Sequence, residues 1–150
     1  MDLILWRHAE AVDGEPDLAR KLTPKGLKQA KAIAQWLSPR LPKHTRIIAS
    51  PAERAQQTAA ALTDEFETDR HLAPGAPPAA LLAAAGWPDH RGAVIVVGHQ
   101  PSLGMAAALL IAGEPMPWSI KKGALWWLSH PVRGENPQVV LRAVISPDLL

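Results

Sequence analysis

Ala93-Val94-Ile95-Val96-Val97-Gly98-His99-Gln100-Pro101 decides the architecture. Its first five residues are apolar and mostly β-branched, with no polar member to mark a wet face. A strand of this kind is covered on both sides, as an inner strand of a parallel sheet is. The run breaks at Gly98-His99, and Ser102 to Ile111 then reads as a helix stopped by Gly113. Working outward, Leu3-Trp6 and Arg46-Ser50 are two more continuous apolar runs, and Ala124-Ser129 and Val139-Ile145 complete five expected strands. Arg142 interrupts the last of these, which places it nearer an edge.

Helical patterns fill the gaps. Thr23-Pro24 supplies an N-cap and an N1 proline, and Leu27, Ala30, Ile33, Ala34 and Leu37 follow at helical spacing until Ser38-Pro39. Ser50-Pro51-Ala52-Glu53 has the form of a capping box, with Ser50 at N-cap and Glu53 at N3 of a helix running towards Leu62 or Glu65. Pro78 to Ala85 is a third helix. Strands alternating with helices from end to end predict an α/β fold with a mostly parallel sheet.

With 150 residues, 47 % of them hydrophobic and 20 % charged, one domain over residues 1–150 is expected, burying about two thirds of its unfolded surface. The opening run Leu3-Ile4-Leu5-Trp6 is too short for a signal peptide or a membrane span and is preceded by Asp2, so a cytoplasmic protein without membrane attachment is expected. Cysteine is absent, which excludes disulfides, zinc–thiolate sites and a thiol nucleophile. The net charge of +2 suits an anionic substrate. The basic residues are scattered and accompany no nucleic-acid recognition motif, so nucleic acid is not an expected partner and the six Trp read as core or rim packing. The six His form no close ligand pair, and neither a metal nor another cofactor is expected.

The chemistry-bearing residues sit just past strands. The first strand delivers Arg7-His8, the second Ser50 and then Arg54 one helical turn on, and the third His99. Ligands of open parallel sheets bind outside the carboxyl ends of the strands, where these residues can converge. The planar guanidinium forks of Arg7 and Arg54 suit phosphoryl oxygens. A histidine with an ordinary pKa near 6.5 is largely neutral at pH 7, and neighbouring arginines favour that form further, so His8 can attack without a separate base. Singly, each residue has a plainer explanation: a surface ion pair, a solvated helix arginine, a helix-capping histidine. Their joint placement is what points to catalysis.

Four ordered blocks carry a family resemblance: Arg7-His8-Ala9-Glu10-Ala11, Leu22-Thr23-Pro24-Lys25-Gly26, Ser50 through Ala59, and Val97-Gly98-His99-Gln100-Pro101. Together they resemble the histidine phosphatase (phosphoglycerate mutase-like) superfamily, and its short SixA-type phosphohistidine phosphatases in particular. Lys122-Gly123-Ala124 and Ser146-Pro147 also look like that branch. The resemblance implies a three-layer sandwich with a mostly parallel central sheet flanked by helices. It implies His8 as the phosphorylated nucleophile, Arg7 and Arg54 as phosphoryl ligands, and His99 as a stabiliser of the transferring group. Arg20 matches an arginine often found ahead of the second block and is expected near the pocket mouth, a solvated charge being the alternative. The superfamily usually has glycine where this chain has Ala9, so that position should not require positive φ.

Mutase-like members and many phosphoester phosphatases carry a glutamate between the positions of Arg54 and His99 that protonates the leaving oxygen. Here the middle of that stretch, Pro74 to Gly86, has no carboxylate, and Asp64, Glu65, Glu67, Asp69 and Asp89 stand at its ends. General acid catalysis contributes about 10²–10⁴-fold, so the loss falls hardest on alkoxide leaving groups. A phosphohistidine, whose imidazole can be protonated near neutral pH, suffers least. The expected substrate is therefore a phosphohistidine-bearing protein, such as a phosphotransfer or histidine kinase domain, with phosphate as product. Small phosphoesters, or phosphate binding without catalysis, are the alternatives. Glu10 is the remaining candidate for proton transfer or substrate contact, a solvated glutamate being its plainer reading. Lys121 and Lys122 either line the mouth and meet an acidic partner or form a solvated turn.

Overall fold

The computed structural model describes residues 1–131 and 138–150. Its strands are β1 (Asp2–Arg7), β2 (Arg46–Ala49), β3 (Glu67–Thr68), β4 (Ala93–Gly98), β5 (Leu125–Ser129) and β6 (Val140–Ile145), and its helices are α1 (Pro24–Leu37), α2 (Glu53–Ala60), α3 (Pro78–Ala84) and α4 (Ser102–Ala112). They form one sheet in the order β3-β2-β4-β1-β5-β6. The β3–β2, β2–β4 and β4–β1 pairings are parallel, whereas the β1–β5 and β5–β6 pairings are antiparallel. The expected mostly parallel sheet with β6 at an edge is what forms.

Alternate residues of the inner strands build two cores. Leu3, Leu5, Val94 and Val96 pack with Leu81, Leu103, Ala106 and Ala107 of α3 and α4. Ile4, Trp6, Ile95 and Val97 pack with Ile33, Ala34 and Leu37 of α1 and Ala55 and Ala59 of α2. Every residue of β4 is buried, and burying each large aliphatic side chain contributes about 1.5–3 kcal/mol. This makes three layers, with the sheet in the middle.

Three local expectations change. The capping box at Ser50 does not form: α2 begins at Glu53 with the extended Ala52 as its N-cap and no side-chain cap. Ser50 Oγ instead accepts from the amide of Ala52 at 3.1 Å and pairs with His99. The helix also closes at Ala60, with only turn structure through Leu62. Finally, β3 has no counterpart in the expected set, because both of its residues are exposed and it is held by backbone pairing to β2 without an apolar run to announce it.

Glycines at two close approaches position the site's surroundings. A Cβ on Gly26 would sit 2.0 Å from the carbonyl oxygen of Glu10, and one on Gly104 would sit 1.8 Å from that of Trp118. The first brings α1 directly onto the chain leaving β1, and the second brings α4 against the segment before β5. Ala9 has an ordinary backbone: among the described non-glycine residues only His44 has positive φ.

Candidate active site

Strand β4 lies between β2 and β1, so the three carboxyl ends that carry Ser50, His99 and His8 are neighbours. The ladder runs on past them: the His8 amide donates to Gly98 O at 3.1 Å and the Ser50 amide to Val97 O at 3.0 Å. The segment before β5 clasps the same end. Gly123 N–H donates to His8 O at 3.0 Å, and Trp6 Nε1 donates to Gly123 O at 3.0 Å. His8, Arg54 and His99 are buried, and the two imidazole rings lie 5.1 Å apart between centroids.

The hydrogen bonds assign the proton of His8. His8 Nδ1 lies 2.7 Å from Ala9 O, and a carbonyl can only accept, so the proton sits on Nδ1 and the lone pair on Nε2. His99 Nε2 lies 2.7 Å from Ser50 Oγ. That oxygen accepts from Ala52 and keeps one lone pair and its own hydrogen, so the contact fits either neutral tautomer of His99. Burial pushes the His8 pKa down to about 4, with the charges of Arg54, Arg7 and Arg20 acting the same way against the Ala9 carbonyl. Burial likewise takes His99 to about 3, with His8 and Arg54 adding to it. Both rings are neutral at pH 7, and His8 presents its Nε2 lone pair.

Arg7 and Arg54 are each held by one side of the guanidinium. Arg7 donates from Nη1 to Ile120 O at 2.8 Å. Arg54 donates from Nη1 to Asp17 O at 2.9 Å and from Nη2 to Asp17 Oδ2 at 3.2 Å. Three buried side-chain nitrogens among the described residues have no partner: Arg7 Nε, Arg54 Nε and His99 Nδ1. Leaving a buried donor unpaired costs about 1–3 kcal/mol, more when charged. All three belong to residues grouped around His8, and an anion with several acceptor oxygens is the kind of ligand that answers them.

Asp17 was not singled out by the sequence; Asp17 and Arg20 stand three apart in a proline-containing loop, a spacing too common to notice. The Asp17 carboxylate joins Arg54 to Arg20, whose Nη1 donates to it at 3.0 Å, and these bonds hold its pKa below the usual range. Arg20 is thus one carboxylate removed from Arg54, with its Nε on Val12 O at 2.7 Å. The role of Ser50 as partner of His99 was also missed, since its hydroxyl reads locally as a helix cap.

Other block residues brace the site. Thr58 Oγ1 accepts from the Ala9 amide at 3.1 Å and donates to Arg54 O at 2.8 Å, tying the segment after β1 to α2. Gln57 Oε1 accepts from the Leu22 amide at 2.7 Å. Glu10 Oε2 accepts from the Thr23 hydroxyl at 2.7 Å, while Thr23 caps α1 through the Gly26 amide at 2.9 Å. Glu10 faces a cleft of about 750 Å³ that it shares with Arg7, Lys121 and Lys122. In the carboxylate-free stretch, Ser102 Oγ donates to Ala76 O at 2.5 Å, seating that loop on the first turn of α4. Glu67 and Asp69 are engaged by Arg46 and His71. No group of three or more potential metal ligands occurs among the described residues, nor is any helix there long and apolar enough to cross a membrane.

An α/β sandwich that gathers two neutral histidines and two arginines at adjacent parallel strand ends defines a phosphoglycerate mutase-like protein. A family model described as histidine phosphatase superfamily (branch 1) matches residues 3–75. The phosphohistidine phosphatase SixA of Escherichia coli is 29 % identical over 126 residues, covering 78 % of each chain. An uncharacterized protein of Picosynechococcus is 35 % identical, over 76 % of this chain and 75 % of its own. A solved structure of the protein histidine phosphatase SixA complexed with tungstate superposes with a TM-score of 0.80 at 25 % identity, covering 99 % of both chains. The chain belongs to the histidine phosphatase superfamily, in its SixA-type branch.

Proposed function

We propose that this chain is a phosphohistidine phosphatase of a single domain, acting in the cytoplasm on a phosphotransfer or histidine kinase domain within a signalling system, with His8 as its nucleophile. The observation that carries the reading is the set of three unpaired buried side-chain nitrogens, on Arg7, Arg54 and His99, around an imidazole whose proton is committed to Nδ1. His8 Nε2 attacks phosphorus. The N–P bond of the substrate breaks, its electron pair goes to the substrate imidazole, and that nitrogen takes a proton from solvent. Water then attacks the phosphorus on His8, the new N–P bond returns its pair to Nε2, and phosphate leaves with the proton the water has lost.

In this reading, charge spread over the transferring oxygens is met by Arg7, Arg54 and His99, the last donating from Nδ1, a type of stabilisation in which each donor is worth about 10²–10³ in rate. Arg20 acts on Arg54 through Asp17. The carboxylate-free loop at Ala76 favours a phosphoramidate over an ester, because nothing there protonates an alkoxide. That E. coli SixA is a phosphohistidine phosphatase, and that a SixA structure holds tungstate, an oxyanion, supports the same reading.

The test is phosphate release from a phosphorylated histidine phosphotransfer domain by wild type and by His8→Ala, beside a panel of sugar and nucleotide monophosphates. Wild type should release phosphate from the phosphoprotein faster than from any ester, and form an acid-labile phosphoenzyme at His8 on rapid quench. Equal release by His8→Ala refutes the nucleophile, and faster ester turnover refutes the donor.

A further inference from the structure

The cleft next to the phosphoryl site is lined by five cations, Arg7, Lys25, Lys28, Lys121 and Lys122, against two carboxylates, Glu10 and Asp148. Both carboxylates are occupied. Glu10 accepts from Thr23, and Asp148 accepts from Ser146 at 2.5 Å while also being the one ion-pair partner of Lys121, at 3.8 Å. Lys25, Lys28 and Lys122 are exposed and form no ion pair with the described residues. Such a surplus of one sign in a concave surface focuses its field on an incoming anion.

Its position gives the surplus a use. Lys25 and Lys28 stand one turn apart on the first half of α1, and the close approach at Gly26 fixes that half against Glu10, two residues past the nucleophile. Lys121 and Lys122 line the same cleft from the segment directly before Gly123, whose amide holds His8 O. Arg7 belongs to both the cleft and the phosphoryl site. At about 750 Å³ the cleft is far larger than the phosphoryl group that the buried donors accommodate. A phosphohistidine at His8 would have this cleft beside it, with Arg7 between the two.

We propose that the cleft is a docking surface for the acidic flank of the phosphohistidine-bearing substrate, selecting proteins whose carboxylates lie beside the modified histidine. This rests on the phosphohistidine reading above and narrows the substrate class within it. Steering of this kind acts on encounter, so it raises kcat/KM, weakens with salt and leaves the chemical step unchanged.

Two synthetic phosphohistidine peptides test it, identical except that the histidine is flanked on both sides by glutamates in one and by glutamines in the other. Each exposed ion pair contributes a factor of about 1.5–5, so wild type should favour the glutamate peptide by about tenfold in kcat/KM at low salt. That ratio should collapse towards one at 1 M salt, where the Debye length is about 3 Å. In the Lys25→Gln/Lys28→Gln/Lys122→Gln variant the ratio should be near one at any salt, with the glutamine peptide turned over at the wild-type rate. No preference in wild type, or a preference that survives in the variant, overturns the proposal. If the variant instead loses turnover of a small bisphosphate ester while keeping its peptide preference, the cleft is a small-anion subsite and the proposal fails. Binding of the unphosphorylated peptides, followed by tryptophan fluorescence, separates the two readings. Tighter binding of the glutamate peptide that the triple variant loses, without hydrolysis of either phosphopeptide, refutes the phosphatase reading while the acidic docking surface stands.

Discussion

Two buried neutral histidines make this fold sensitive to acid, and His99→Gln measures how much. Unfolded, each imidazole titrates near 6.5; folded, His8 titrates at about 4 and His99 at about 3. Both folded values are depressed, so between pH 6 and 4.5 the unfolded chain takes up a proton at each position that the folded chain does not. Stability therefore falls as pH falls, by about 1.4 kcal/mol per pH unit for each histidine. At pH 4.5 the two together cost about 5 kcal/mol relative to pH 7, against a total stability of about 5–15 kcal/mol for a domain. The glutamine amide can still meet Ser50 Oγ but cannot titrate, so His99→Gln should lower the slope of unfolding free energy against pH by about 1.4 kcal/mol per unit in this window. Urea denaturation followed by the fluorescence of the six tryptophans, at half-unit steps from pH 7 to 4.5 in phosphate-free buffer, reads it directly. A variant slope equal to that of wild type would mean that burial does not hold His99 neutral.

Three further substitutions probe the supports of the site. Ser50→Ala leaves His99 Nε2 buried without its partner, at a cost of about 1–3 kcal/mol, and frees the ring to change tautomer; kcat should drop by about tenfold or more, and an unchanged kcat with a lower Tm would make Ser50 purely structural. Asp17→Asn weakens the grip on Arg54 and should raise KM about fivefold, by analogy with a half-exposed charge pair worth about 1 kcal/mol, with Arg20→Gln giving a similar but smaller effect; steady-state kinetics with the phosphoprotein decides. Gly26→Ala forces a Cβ to within 2.0 Å of Glu10 O and should destabilise by about 1–3 kcal/mol or prevent folding, so a thermal melt matching wild type would contradict the packing of α1.

Much of the architecture is legible in local chemistry. Continuous apolar runs at Leu3-Trp6 and Ala93-Gly98 specify strands covered on both faces, and Thr23-Pro24 sets the start of α1 to the residue. Such features need only a strand's or a helix's own periodicity and caps. Arg7, His8, Arg54 and His99 could be proposed as a group because each follows a strand or opens a helix, and parallel strands deliver their ends to one side.

What the chain order could not supply is adjacency. Strand β4 enters between β1 and β2 although it comes long after both in sequence, and that insertion is what sets His99 beside His8 and Ser50. The same reason hid Asp17, whose partner Arg54 is 37 residues away, and turned Ser50 from an apparent helix cap into the residue that orients His99. A hydroxyl near a helix start has two competing partners, one local and one across the sheet, and only packing decides which it meets. The sequence alone determined every strand but β3, the approximate course of the helices and the kinds of side chain available for phosphoryl chemistry. The tertiary structure decided that His99 and Ser50 meet, which buried nitrogens are left unpaired and which lysines share a cleft with Arg7, because those depend on distances between segments that local propensity does not control.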